Sequence, residues 1–96
     1  MQRKVFNIYV GMVLNSFNIE REDLFTKTKR KEIAEARHML YWMCFADGDF
    51  KVGVIVRMMR ENGYDVGHSS VIYGINAMNN TDNKYHLKIQ ENICLV

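Results

Sequence analysis

Apolar side chains recur along this chain at spacings of three and four, the period of an amphipathic helix rather than the alternation of a strand. Val5, Ile8, Tyr9, Met12 and Val13 mark a first helix from about Lys4 to Phe17. Ile19, the acidic stretch Glu20 to Asp23 and then Leu24 read as a short helical turn. Lys27 to Lys31 has no apolar period and forms a solvated loop or the start of a helix. Ile33, Ala36, Leu40, Met43 and Cys44 then begin a long element that ends near Ala46, where Asp47-Gly48-Asp49 supplies a turn. Val52, Ile55, Val56 and Met59 carry the next helix, and Asn62-Gly63 stops it. After a connector from Tyr64 to Gly67, a stripe of Val71, Ile72, Ile75 and Met78 runs to Asn79-Asn80. Thr81 precedes a last helix through Tyr85, Ile89 and Ile93. Proline is absent and glycine occurs six times, so little forbids helix. The expected class is all-α, a compact bundle of five to six helices.

Two helices joined by a short connector containing glycine, the second opening on small polar side chains, make a candidate helix-turn-helix over the C-terminal half. In that second helix Val71, Ile75 and Met78 are expected to point inward together with Ile72. Ser69, Tyr73, Asn76 and Asn80 fall opposite, and Ser70, Gly74 and Ala77 form a strip of small residues suited to close helix packing. The Ser, Tyr and Asn strip carries donors and acceptors fit for phosphates and base edges. An ordinary polar outer face has the same periodicity, so the pattern alone leaves both readings open.

Composition narrows the classes. Ninety-six residues, 48% apolar and 25% charged, accommodate one domain spanning 1–96. Thirteen Lys and Arg against 11 Asp and Glu give a net charge of only +2, so a nucleic-acid surface requires clustering of the basic residues. Lys27, Lys29, Arg30, Lys31 and Arg37 are clustered in this way, within eleven positions. The longest apolar run, Met39 to Ala46, is eight residues and too short to span a bilayer. Arg3 and Lys4 before Val5 to Leu14 imitate a secretory leader poorly, because Asn7 and Gly11 interrupt the run and no small-x-small site follows. Cys44 and Cys94, fifty residues apart in apolar surroundings, suggest reduced thiols and a cytoplasmic setting. His38 and His86 have no partners at metal-ligand spacing, and Tyr41-Trp42-Met43 reads as core or as a partner surface. No paired carboxylates or nucleophile with its base can be named, so no enzymatic activity, cofactor or small-molecule substrate is expected. The seven Met residues suit the gaps of a small helical core.

Several stretches, in order, carry a family resemblance. Phe17-Asn18-Ile19 followed by Asp23-Leu24 is similar to an aromatic-x-Ile-x-x-x-Asp-Leu opening. Lys27 to Lys31, then Ile33, Ala36-Arg37 and Met39, is similar to a basic loop running into an Ile-x-x-Ala-Arg helix. His68-Ser69-Ser70-Val71 is similar to a His-Ser/Thr-Ser/Thr-Val signature, and Asn80-Thr81-Asp82 with Tyr85 and Ile89 to a terminal helix. Over Phe17 to Ile93, about four-fifths of its length, the chain resembles the C-terminal DNA-binding domain of DnaA-type bacterial replication initiators. That domain has a helix-turn-helix of the Trp-repressor kind. Val66-Gly67 stands where the family has Arg-Asp or Lys-Asp, and Asn62-Gly63-Tyr64-Asp65 replaces its Gly-x-x-Phe-Gly-like turn, which would alter the affinity or the sequence read. No Gly-x-x-x-x-Gly-Lys-Ser/Thr phosphate loop occurs, so no initiator ATPase accompanies the resemblance.

The resemblance implies binding to double-stranded DNA as a monomer on one short site, in replication initiation or transcriptional control and associated with the nucleoid. A stripped-down module of this kind would suit a phage or mobile element. Lys29 stands where the family reaches an Arg into the minor groove, and Lys keeps the charge but not the planar guanidinium. His68, Ser69 and Ser70 would open the recognition helix and meet base edges, thymine methyls or phosphates, while Tyr73 and Asn76 are candidates from the polar strip alone. Arg37 matches a backbone-contacting Arg, and Lys27, Arg30 and Lys31 complete the basic surface. The alternative is a protein-interaction module that kept the fold without DNA binding. His68 as a helix cap and Lys27 to Lys31 as a solvated face are the corresponding plain readings of those residues.

Overall fold

The chain runs as helix through most of residues 2–28 and 30–79, the part described in the computed structural model. Five α-helices follow one another there: α1 Gln2–Phe17, α2 Arg21–Leu24, α3 Lys31–Trp42, α4 Val52–Glu61 and α5 His68–Asn79. No strand occurs among these residues, so the class is all-α. The expected last helix from Thr81 lies outside the described residues.

Each boundary has a local cause. Asn18, with φ of 54°, takes the left-handed position after α1, and the Ile19 N–H reaches back to the Leu14 carbonyl at 3.1 Å. Gly63, with φ of 92°, does the same after α4, where the Gly63 and Tyr64 N–H groups bond the carbonyls of Arg60 and Met59 at 3.0 Å each. At the start of α2 the Glu20 N–H donates to Asp23 Oδ2 at 3.2 Å, which satisfies one orphan donor. The long third element does not simply stop near Ala46. It widens into a π-turn over Met43–Asp47, and the Gly48 N–H closes on the Met43 carbonyl at 3.0 Å. Gly48 is required there by crowding: a Cβ would lie 2.9 Å from both the Cys44 carbonyl oxygen and Tyr9 Cε2. The Tyr9 hydroxyl donates to Asp47 Oδ2 at 2.6 Å and pins this turn to α1.

α3 is the central helix, with α5 packed most extensively on it, α1 and α2 on its other sides, and α4 against α5. Phe6, Val10 and Val13 of α1 meet Ala36, Met39 and Leu40 of α3 in the same core as Ile55 and Met59 of α4 and Val71 and Ile75 of α5. Five of the seven methionines, Met39, Met43, Met58, Met59 and Met78, are buried, as unbranched fillers of irregular gaps. Tyr41 and Met43 belong to this core, and half-buried Trp42 donates from Nε1 to Asn79 Oδ1 at 2.9 Å. Tyr41 and Met43 are thus core, and Trp42 packs half-buried against it.

Candidate nucleic-acid interface

α4, the connector 62–67 and α5 form the helix pair anticipated as a helix-turn-helix. Gly74 sets how closely α5 lies on α3. A Cβ there would come within 2.8 Å of His38 Cδ2 and 2.9 Å of Tyr41 Cδ2, so nothing larger than hydrogen fits. Val71, Ile75 and Met78 are buried along this seam. Ile72 is not: it is 46% exposed, correcting the expectation that it points inward. At about 100° per residue it lies too far around the helix from Val71 to share the buried arc. The exposed arc therefore comprises Ser69, Ile72, Tyr73 and Asn76, with His68 and Ser70 also exposed at the first turn.

His68 is the first residue of α5, not its cap, and its Nε2 lies near Gly53 of α4. Gly67 occupies the position before it and has open space around its Cα. Val66 is buried, a plug beneath the connector at the position where the resemblance has a basic side chain. Asp65 is exposed and paired with Arg60 at 3.0 Å.

The basic segment leads from α2 to α3. Lys27 and Lys31 are exposed and make no ion pair among the described residues, whereas Lys29 lies outside them. Arg30 is exposed and pairs with Glu32, and its N–H donates to the Thr28 hydroxyl at 3.3 Å. Arg30 and Lys31 sit at the N-terminus of α3, where the helix dipole disfavours cations and Glu32 offsets them.

Arg37 is a correction. Instead of reaching toward solvent, it is 5% exposed, and its Nε donates to the Leu24 carbonyl at 2.8 Å. One Nη donates to the carbonyls of Asp23, at 3.4 Å, and Thr26. The guanidinium also lies 4.3 Å from the centre of the Tyr64 ring. These bonds satisfy backbone acceptors that no regular structure serves, so Arg37 holds the basic segment in place and is committed to that role. Through Tyr64 it also fixes the segment against the connector between α4 and α5.

The result is a cleft of about 650 Å³ with Thr28 of the basic segment on one side and Ser69, Ser70 and Tyr73 of α5 on the other. Arg37, His38, Tyr64 and Asp65 also line it. The Tyr73 ring is 68% exposed and stands edge-on to His38 at 5.7 Å. Burial pushes the His38 imidazole below its ordinary value of 6.5; Glu35 opposes the shift and Arg37 adds to it. The sequence does not mark His38, Tyr64 or Ile72 as site residues. For Ile72 the wheel angle was the available signal, whereas the other two become relevant only through contacts between distant segments.

Among the described residues no group of three or more His, Cys, Asp or Glu could hold a metal ion, while His86 and Cys94 lie outside those residues. Buried Cys44 has its thiol pushed up by desolvation, which makes it a poor nucleophile. No helix among the described residues is long and apolar enough to cross a membrane. Compared with family models, curated proteins and solved structures, the chain matches none.

Proposed function

We propose that this chain is a sequence-specific double-stranded DNA-binding module with no catalytic role. In this reading α5 lies in the major groove and the basic segment follows the adjacent backbone or minor groove. The single observation that supports it most is the shared cleft: Thr28, next to Lys27 in the basic segment, and Ser69, Ser70 and Tyr73 of α5, some forty residues apart in sequence, line the same opening. Ser69, Ser70, Tyr73 and Asn76 present donors and acceptors along one side of a helix that has no Asp or Glu to repel phosphate. The N-terminal N–H groups of α5 add a partly positive helix end that favours phosphate. Lys27, Lys29, Arg30 and Lys31 supply the non-specific attraction, and Arg37 contributes as the strut that positions them.

The resemblance to the DNA-binding domain of DnaA-type initiators adds support through the position of the His68-Ser69-Ser70-Val71 signature at the start of α5. It suggests a role in replication initiation or transcriptional control and binding as a monomer to one short, non-palindromic site. A second reading, a protein-interaction module on the same scaffold, is favoured by buried Val66, which removes a basic side chain from the connector, and by the exposed pair Ile72 and Tyr73. Selection of the full chain against a random duplex library separates the two. The proposal expects one recovered motif bound about 10³-fold or more tightly than random duplex. No enrichment over many rounds would contradict it and leave the interaction module as the better reading.

A further inference from the structure

Four large apolar side chains are prominently exposed among the described residues: Ile8, Phe45, Ile72 and Tyr73. The last two are neighbours on α5. Taking Val71 as the buried reference and about 100° per residue, Ile72, Asn76, Ser69 and Tyr73 fall in that angular order within an arc of about 100°. Ile72 thus lies at the edge of the arc, between the polar strip and the buried seam. It has no hydrogen-bonding atom in its side chain, so it cannot read a donor or an acceptor. The only apolar feature that distinguishes one base pair from another in the major groove is the C5-methyl group of thymine. Two properties of α5 favour DNA over a protein as the occupant of this arc. Ser69 and Asn76 keep the apolar patch to two side chains, smaller than a stable protein interface needs. The same helix also carries no Asp or Glu, so nothing on α5 repels a polyanion.

We infer that Ile72 is a specificity-determining residue whose side chain packs on a thymine methyl group, so that the preferred duplex contains a thymine opposite the middle of α5. This rests on the DNA-binding reading. It makes the exposure of Ile72 a feature of recognition.

The test replaces each thymine of the selected duplex in turn by deoxyuridine, which removes the methyl group and leaves the pairing intact, and measures the affinity of the full chain by fluorescence anisotropy. At one position the parent should bind the uracil duplex about fourfold more weakly, as expected for one lost buried methyl. Ile72→Ala should bind the thymine duplex at least as weakly and no longer distinguish the two, with its melting temperature and its affinity for random duplex unchanged. If the selected duplex is bound tightly but no thymine position shows this difference, or Ile72→Ala keeps it, the inference is wrong while the DNA-binding reading stands. If no duplex is selected at all, both fail. In that event, self-association that Ile72→Ala abolishes would assign the patch to a second copy of the chain.

Discussion

The guanidinium of Arg37 is committed to carbonyl oxygens at Asp23, Leu24 and Thr26, and its loss should be felt in stability before it is felt in binding. Arg37→Ala leaves those acceptors without a donor and removes the stack on Tyr64, which should cost about 2–3 kcal/mol. Arg37→Lys keeps a charge but cannot serve three acceptors at once and should recover only part of this. Urea denaturation measures both; an unchanged midpoint with weakened DNA binding would return Arg37 to the contact surface. His38 makes a separate prediction. Its folded-state pKa is lowered from 6.5, so the unfolded chain takes up the proton first. The neutral ring's contribution is fully present above about 6.5 and is lost as the pH falls through the lowered folded value. Around it, Glu35 favours the charged ring, Arg37 disfavours it, and Tyr41 and Tyr73 offer ring contacts. Melting temperature should therefore fall as the pH is lowered from 7 toward 5, and His38→Gln should flatten that dependence. The Arg3–Glu61 pair does not confound the window, because Arg3 holds the Glu61 carboxyl below its ordinary 4.5 and its effect lies at lower pH. An equally steep dependence in His38→Gln would place the titrating group elsewhere.

Among the elements, two helical glycines should respond in opposite directions to the same substitution. Gly74→Ala gains helix propensity, but its Cβ would meet the rings of His38 and Tyr41 at 2.8 and 2.9 Å, inside a packed seam. Overpacking of about 1–3 kcal/mol exceeds the propensity gain of about 1 kcal/mol, so the variant should be less stable. Gly53→Ala on α4 meets only His68 Nε2, at an ordinary 3.6 Å, and should be stabilised by about 0.5 kcal/mol. Thermal melts giving both variants the same sign would contradict this account of the α3–α5 contact. The helices themselves were legible in the apolar period: α1, α3 and α4 begin and end, and α5 begins, within a few residues of the expected positions, because one buried stripe defines each. The π-turn was not legible, since Asp47-Gly48-Asp49 looks the same whether a helix stops or widens. Arg37 misled for a related reason. An Arg in a basic run looks like a phosphate contact until the fold brings the carbonyls of α2 under it, and these pairings are not encoded in local spacing. Ser69, Tyr73 and Asn76 were correctly separated from Val71, Ile75 and Met78, because a twelve-residue helix obeys its wheel; Ile72, at its margin, was placed on the wrong side.

For the whole molecule, a net charge of +2 means that, in the proposed reading, attraction to DNA comes from the segment around Lys27 and Lys31 rather than from a general field. The logarithm of the binding constant should fall with the logarithm of salt at about 0.9 per phosphate contacted, and the double variant Lys27→Ala, Lys31→Ala should reduce the slope by about two. An unaltered slope would remove the segment from the interface. Phosphate attraction alone, however, does not make a sequence reader. The central claim is that α5 reads bases, and the most direct measurement is the ratio of affinities for the selected duplex and a scrambled one, compared between the parent and a His68→Ala, Ser69→Ala variant. The account predicts that the variant loses about 1–3 kcal/mol on the selected duplex, roughly 5- to 150-fold, while its binding to the scrambled duplex barely changes. Equal losses on both duplexes, or none on either, would contradict it.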